Sequence, residues 1–358
     1  MLCHSNLTSQ HNYALVSTNT DVRRPVVASS VLKPSPGRDG ENTEAGAASS
    51  LAVDIAPSHP RGLKLRAPVL TASGTFGFGD EYRDVVDLAC LGAIVTKTVT
   101  PEPREGNLTP RTVETPAGML NSIGLPNPGG DGVIRDKASM WADLACPVVV
   151  SIAADTQQDW TDLAARFDGL ENVVAIEANL SCPNVAGGLD FSTDPDKTAA
   201  AVAAVCSGSS LPVIAKLSPN VTDLRRIACS AETSGAHALS LINTVLGMVI
   251  HPETGQPFLG ANWGGLSGPA IRPIAVRCVY EVADVVSIPI IGIGGIVTSD
   301  DALQFFHAGA SAVQIGTATF RDPRTAEGIV DGLGGYLERN GHRSIVEIVR
   351  QASRTVND

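Results

Sequence analysis

The chain has 358 residues, 43% of them hydrophobic, and a formal net charge of −11, so it can bury one large core but lacks the clustered Lys and Arg of a broad nucleic-acid surface. Its apolar runs are of strand length, far short of the roughly 18 residues that a membrane span needs. Aromatic residues make up only 4%, too few for a base-stacking platform, and we predict a soluble, acidic, globular protein.

The first fifty residues differ in composition from the rest. Residues 1–50 are rich in Ser, Asn, Thr, Pro and Gly and show neither helical nor strand periodicity, which is typical of disordered segments. They also lack the apolar h-region of a secretory signal. We predict a disordered N-terminal extension over 1–50 and one folded domain over 51–358.

From residue 51 onward, strand-like and helix-like segments alternate. Short apolar runs bounded by Gly, Pro or polar residues predict buried parallel strands. They lie at 68–73, 93–97, 147–152, 173–180, 212–217, 238–243, 289–293 and 312–315. Helical spacing is found between them, for example at 80–90, 134–144, 194–206, 221–234, 270–286 and 299–308. Candidate N-caps are Thr222 or Asp223 for the fourth of these helices and Ser299 for the last.

Eight strand–helix units in succession predict the α/β class and a (β/α)8 TIM barrel. A doubly wound open sheet is the alternative fold. It is disfavoured because the first strand-to-helix turn, residues 72–77, lacks the G-x-G-x-x-G fingerprint of dinucleotide-binding sheets.

Polar residues and glycines follow the predicted strands, and in a barrel these carboxyl ends carry the chemistry. Lysine is almost never fully buried without a partner, so Lys97 and Lys216, each ending a strand, indicate a functional site. Glycine pairs after the last two strands leave room for an anion near backbone N–H groups, which predicts a phosphate site. The strand-end residues are Ser73, Lys97, Ser151, Asn179, Lys216, Asn243, Thr244, Gly294, Gly295, Gly316 and Thr317.

Seven cysteines stand at positions 3, 90, 146, 182, 206, 229 and 278. Their number is odd and no two have C-x-x-C or another cluster spacing, so we predict no metal site and no iron–sulfur cluster in this chain. Five of them lie in apolar stretches, where a free cysteine behaves as a small hydrophobic residue. The pattern suits a reducing cytoplasm.

Three loops carry motifs that resemble dihydroorotate dehydrogenase of class 1. They are residues 179–185 (Asn-Leu-Ser-Cys-Pro-Asn-Val), 120–129 (Leu-Asn-Ser-Ile-Gly-Leu-Pro-Asn-Pro-Gly) and 264–271 (Gly-Gly-Leu-Ser-Gly-Pro-Ala-Ile). The resemblance, which includes Thr96-Lys97-Thr98 and the glycine pairs, covers roughly 51–322 in unbroken order. The stretches following Gly124-Leu125 and Gly265 resemble subclass 1B more than the fumarate-using subclass 1A.

The resemblance implies oxidation of (S)-dihydroorotate to orotate in de novo pyrimidine (UMP) biosynthesis, with FMN as the cofactor. It places the catalytic base at Cys182, on a loop over the substrate. A thiol with a pKa of about 8.5 can act as a base near neutral pH. The membrane-bound class 2 enzymes carry serine at this position, so Cys182 itself favours class 1.

The resemblance also implies two sets of binding residues, and Lys97 and Asn179 belong to both. The substrate is surrounded by Lys97, Asn121, Ser122, Ile123, Gly124, Leu125, Asn179, Asn243 and Thr244. FMN is bound by Ser73, Lys97, Thr98, Asn179, Lys216, Ile242, Gly268, Gly294, Gly295, Gly316 and Thr317. Ser151 stands where relatives commonly carry Asn, which puts its flavin contact in doubt.

For partners, the resemblance implies a second subunit with FAD and an iron–sulfur cluster, in a heterotetramer of two plus two that passes electrons to NAD. No nucleic acid or membrane is implied. Two alternative functions remain. A dihydropyrimidine dehydrogenase-like flavoenzyme would act on uracil, which has no carboxylate for Lys97. A flavin-free Schiff-base aldolase would use a strand-end lysine and the phosphate site.

Overall fold

A computed structural model of the chain describes residues 50–180 and 191–350. The predicted N-terminal extension lies outside the described residues except for Ser50. Cys182, the predicted base, also lies outside them.

Eight parallel strands form the centre of the fold. In chain order they are β1 (Val69–Thr71), β2 (Ile94–Val95), β3 (Val148–Ile152), β4 (Val173–Asn179), β5 (Val213–Leu217), β6 (Ala238–Leu241), β7 (Ile290–Ile293) and β8 (Ala312–Ile315). From β2 to β8 each strand pairs with the next, and β8 pairs with β1. Between β1 and β2, a parallel bridge joins Leu70 to Ala93, and the Thr71 N–H donates to the Ala93 carbonyl at 3.3 Å.

The sheet therefore closes on itself, and the predicted (β/α)8 barrel is confirmed, as are all eight predicted strands. The strands are almost wholly buried, and every residue of β3 and of β5 is inaccessible or nearly so. This is the pattern of parallel strands covered by helices outside and by side chains inside the barrel.

Helices follow the strands on the outside of the barrel. They are α1 (Gly129–Ala142), α2 (Gln157–Phe167), α3 (Pro195–Gly208), α4 (Leu224–Thr233), α5 (Arg272–Val282), α6 (Ser299–Ala308), α7 (Ala318–Arg321) and α8 (Thr325–Asn340). Short 3₁₀ helices span Leu88–Cys90, Pro269–Ile271 and Ile345–Ile348. The N-cap of α4 is Asp223, which is one of the two predicted candidates. The N-cap of α6 is Thr298, one residue before the predicted Ser299, because Thr298 and Asp301 form a reciprocal capping box.

The helix predicted over 80–90 is wrong, because this segment forms turns and then the 3₁₀ helix Leu88–Cys90. Side chains take backbone N–H groups within the segment that a helix would need. The Asp87 carboxylate accepts from the Ala89 N–H at 3.0 Å, and the Asp87 N–H donates to the Glu327 carboxylate. An ion pair between Asp80 and Lys137 also ties the segment to α1.

Two antiparallel sheets complete the described fold. A four-stranded sheet consists, in order, of Val245–Gly247, Gly264–Ser267, Gly118–Asn121 and Thr112–Thr115. It is built from the β2–α1 and β6–α5 connections, which leave the barrel at the carboxyl ends of β2 and β6. A two-stranded sheet pairs Val53–Asp54 with Lys64–Leu65.

No helix within 50–180 or 191–350 combines the length and the apolar character that crossing a membrane would require.

Candidate active site at the carboxyl ends of the strands

A cavity of about 370 Å³ opens at the carboxyl ends of the barrel strands. Apart from Ser122, every described residue predicted to bind substrate or cofactor lines it. These residues are Ser73, Lys97, Thr98, Asn121, Ile123, Gly124, Leu125, Asn179, Lys216, Ile242, Asn243, Thr244, Gly268, Gly294, Gly295, Gly316 and Thr317. Ser73 and Thr317, which are 244 positions apart along the chain, therefore meet at one mouth of the barrel.

The side chain of Ser122 lies behind the cavity wall. Ser122 is inaccessible to solvent, and its hydroxyl accepts a hydrogen bond from the Asn107 amide at 2.8 Å. Its backbone N–H donates to the Arg111 carbonyl at 2.7 Å. In the described structure, Ser122 thus orders the loop beside Asn121 and Ile123.

A chain of hydrogen bonds connects the ends of four strands. The Ser73 and Thr98 hydroxyls lie 3.0 Å apart, and the Asn179 amide donates to Thr98 Oγ1 at 3.1 Å. Asn243 Nδ2 donates in turn to Asn179 Oδ1 at 3.3 Å, and Asn243 Oδ1 accepts from the Thr244 N–H at 2.8 Å. These bonds fix the orientation of both amide groups.

Ser151 is wholly buried and does not line the cavity. Its hydroxyl lies 3.0 Å from Thr98 Oγ1, so it supports Thr98 from behind. A serine at this position therefore reaches the cavity only through another hydroxyl.

Two lysines reach the cavity from different surroundings. Lys216 is 5% exposed, and its ammonium lies 3.5 Å from the Glu177 carboxylate. Lys97 is only partly buried. Burial lowers the pKa of Lys97 below its ordinary value of 10.5, the nearby Glu81 carboxylate opposes this shift, and the Arg111 guanidinium adds to it.

The turn after β7 is a glycine cradle. Gly294 and Gly295 have φ values of +131° and +71°, which favour glycine. A Cβ on Gly295 would lie 2.7 Å from the Gly268 carbonyl oxygen and 2.9 Å from Arg272 Cβ. The Arg272 guanidinium donates to the Gly295 carbonyl at 3.3 Å and pairs with Asp301 at 2.6 Å, which ties the turn to α5 and α6.

The turn after β8 differs, because Gly316 has no left-handed φ and the space for a Cβ is adequate. A Cβ there would lie 3.4 Å from Ala72 Cβ and 3.7 Å from Thr75 Cγ2. Next to it, the Thr317 hydroxyl donates to Ser267 Oγ at 2.8 Å. Gly316 can therefore be substituted without straining the backbone.

Sequence reasoning missed several lining residues, among them Thr75, Thr112, Met119, Ser267 and Phe320. Three of these belong to the four-stranded antiparallel sheet. Its strands have three or four residues each, too short for a period-2 pattern to appear. Only the Gly-rich motif containing Ser267 was visible as a signal.

Within the described residues, no group of three His, Cys, Asp or Glu side chains could hold a metal ion. The fold and the site define a (β/α)8-barrel enzyme with a polar, lysine-containing cavity at the carboxyl ends of its strands.

Comparison with known proteins identifies the family. The family model for dihydroorotate dehydrogenase matches residues 57–337. A relative from Desulforudis audaxviator, named dihydroorotate dehydrogenase B (NAD(+)), catalytic subunit, is 54% identical over 82% of this chain and 96% of its own length. Relatives of the same name from Geotalea uraniireducens and Geobacillus kaustophilus are both 48% identical, over 84% and 82% of this chain and 97% and 94% of their own lengths.

The chain therefore belongs to the dihydroorotate dehydrogenase family and is an oxidoreductase. The names of these relatives also confirm the predicted resemblance to subclass 1B.

Proposed function

We propose that this chain oxidises (S)-dihydroorotate to orotate in de novo pyrimidine biosynthesis, with FMN bound in the cavity at the barrel mouth. One observation carries the proposal. The cavity brings together a lysine for a carboxylate, a fixed chain of amides for a ring with donors and acceptors, and a glycine cradle for a phosphate.

The residues around the cavity fit FMN. Gly294 and Gly295 line the cavity with a left-handed backbone, and the phosphate would approach their backbone N–H groups, with Gly316 and Thr317 on the neighbouring turn. The buried Lys216 ammonium supplies positive charge at the floor of the cavity, where a flavin that gains electrons would benefit from a cation. Ser73, Thr98, Ile242 and Gly268 form further cofactor contacts. When bound, FMN supplies a hydride acceptor.

The substrate half of the cavity suits an anionic ring rich in amide groups. Lys97 would pair with the carboxylate, while Asn121, Asn179, Asn243 and Thr244 would donate to and accept from the ring. Gly124 and Leu125 both have positive φ, of +79° and +54°, so this turn presents backbone groups to the cavity. Ile123 adds backbone contacts beside them.

We assign the base that removes the C5 proton to Cys182. The described cysteines are poor candidates, because none of the five lines the cavity. Burial also raises the pKa of Cys90 and of Cys206 to about 11 and that of Cys146 to about 12. Cys182 follows Asn179 by three residues, and Asn179 does line it.

Electrons leave through a partner in this proposal. The relatives are named as catalytic subunits of an NAD(+) enzyme, which supports a partner subunit. In the proposal this partner carries FAD and an iron–sulfur cluster and forms a two-plus-two heterotetramer with the chain. The described residues hold no metal-binding cluster of their own. The free thiols of the described cysteines support a cytoplasmic location.

The test is to purify the chain and identify any bound flavin by chromatography after its release. We expect FMN, and we expect reduction of a dye acceptor with dihydroorotate. A protein that carries no FMN and takes up none when FMN is added would contradict the proposal. Activity with dihydrouracil and none with dihydroorotate would indicate the dihydropyrimidine dehydrogenase-like alternative.

A further inference from the structure

A polar cluster lies inside the barrel beneath the cavity. Glu177 on β4 is wholly buried. Its Oε2 accepts from the Ser240 hydroxyl of β6 at 3.1 Å and from the Gln314 amide of β8 at 2.8 Å. These three strands alternate around the barrel, so the three side chains belong to one interior layer.

The Lys216 side chain contacts this layer from the cavity side. Its neighbours in register are Asn179 on β4 and Ser240 on β6. Glu177 precedes Asn179 by two residues, so both side chains point to the barrel interior, with Glu177 one layer deeper. The Lys216 ammonium lies 3.5 Å from Glu177 Oε1, and this oxygen has no hydrogen-bond partner among the described residues.

Stability alone does not account for a carboxylate here. Apolar residues of similar volume in place of a buried ion pair are often neutral or stabilising, whereas removing one partner leaves a costly unpaired charge. The interior of a barrel is usually filled by branched apolar side chains. The cluster therefore points to a role in the site above it.

We propose that Glu177 is a positioning residue: its carboxylate is the counter-ion that holds the Lys216 ammonium at the floor of the cavity. Ser240 and Gln314 hold Oε2 and leave Oε1 for the lysine. At 3.5 Å the contact with Glu177 is longer than a normal hydrogen bond, so the ammonium keeps N–H donors for a ligand in the cavity.

Glu177→Gln tests this directly because it changes one atom and the charge. If the glutamine oxygen keeps the bonds from Ser240 and Gln314, its NH₂ group faces the Lys216 ammonium, and two donors repel. Lys216 should then leave its place. Ser240→Ala is the matched control, since it removes a bond to the same carboxylate and keeps the charge.

The first measurement uses the protein stripped of flavin. An amine-acylating reagent and peptide mass spectrometry give the labelling rates of Lys216 and Lys97 in one sample. We expect Lys216 to be labelled several-fold faster in Glu177→Gln, with Lys97 unchanged and with Ser240→Ala at the parent rate. An unchanged Lys216 rate, or faster labelling of both lysines as in a loosened barrel, would overturn the proposal.

The second measurement rests on the proposed function, because it uses the reduction potential of bound FMN. Loss of a cation beside a flavin disfavours the reduced, more negative form. Lys216→Met should shift the potential to more negative values, and Glu177→Gln should shift it in the same direction, with no added effect in the double variant. A positive shift, expected if only the negative charge of Glu177 mattered, or no shift, would contradict the positioning role.

Should Glu177→Gln fail to fold by circular dichroism, Glu177→Asp takes its place, because it keeps the charge but draws it back by one methylene. The same acceleration at Lys216 is expected, and its absence is equally decisive. If the parent protein binds no FMN, the proposed function fails while the labelling rates still decide the role of Glu177.

Discussion

The two lysines of the cavity differ in their electrostatic surroundings. Lys216 is buried against a carboxylate, whereas Lys97 is partly buried between the charges of Glu81 and Arg111. The first suits a side chain held in place beside a cofactor. The second suits a ligand that brings its own negative charge, which is the place the proposal gives to the substrate carboxylate.

This arrangement predicts that orotate binding depends on pH. Because burial lowers the pKa of Lys97 below 10.5, the ammonium is lost at a lower pH than in a free lysine, and affinity for orotate should fall as the pH rises through that lowered value. Lys97→Met should weaken binding about 10- to 100-fold at neutral pH, as expected for the loss of a charged hydrogen bond. Titrations of orotate against bound flavin absorbance across pH measure both.

Lys97→Arg is the control, because guanidinium keeps its charge in the alkaline range. Any fall in affinity that remains in this variant comes from titration of the ligand itself. A parent protein whose alkaline profile matched that of Lys97→Arg would show that the Lys97 charge does not bind the carboxylate.

Cys182 carries the mechanistic prediction. A positioned general base contributes roughly 10²- to 10⁴-fold in rate, so Cys182→Ala should slow flavin reduction by dihydroorotate by about that factor, with orotate affinity changed much less. Cys182→Ser should keep some activity, mostly at high pH, because a hydroxyl gives up its proton less readily. Stopped-flow reduction of the bound flavin measures this.

Cys206→Ala is the matched control, since the pKa of Cys206 is raised to about 11 by burial and its thiol lies away from the cavity. We expect the parent rate. If Cys182→Ala reduced its flavin as fast as Cys206→Ala, Cys182 would not be the base, and another residue would have to remove the proton.

The sequence located most cavity residues because a strand-end position implies a place at the barrel mouth. It could not tell which side chains of a loop face inward. Asn121 and Ser122 are adjacent in the same motif, yet Asn121 lines the cavity and Ser122 is turned towards Asn107. The buried partner of Lys216 was also invisible, because the Glu177 contact forms between strands.

The two glycine turns differ in what they allow. Substituting Gly295 would strain its own backbone and clash with the Gly268 carbonyl, so loss of flavin there could follow from a distorted turn. Gly316→Val avoids this difficulty. We expect it to fold normally and to raise the dissociation constant for FMN by about tenfold or more, measured by fluorescence titration of the flavin-free protein.

Gly328→Val provides the comparison, because Gly328 is an exposed residue of α8 with nothing within 4 Å of its would-be Cβ. It introduces the same side chain away from the cavity and should bind FMN like the parent. If both variants bound FMN with equal affinity and had unchanged circular dichroism, the assignment of the FMN phosphate to the β8 turn would be wrong.

Strands and helices were predictable to different degrees. All eight barrel strands followed from short apolar runs, since burial on both faces leaves few polar residues in them. The segment 80–90 has apolar residues at helical spacing, but hydrogen bonds from its backbone to the Glu327 and Asp87 carboxylates favour turns. Such competition depends on side-chain geometry that spacing alone does not contain.

The whole chain is expected to work as one part of a larger enzyme. Because its relatives are named as catalytic subunits of an NAD(+) enzyme, we expect the isolated chain to reduce dyes or quinones with dihydroorotate but to reduce NAD poorly. Acceptor assays with and without a candidate partner subunit measure this. Efficient NAD reduction by the chain alone would argue against the partner.

The most direct test of the central proposal is an anaerobic titration of the purified chain with dihydroorotate. The visible absorbance of bound FMN should bleach, and each reduced flavin should yield one orotate, detected by chromatography. The result that would contradict the account is a flavin that stays oxidised under excess dihydroorotate, or one that is reduced without orotate being formed.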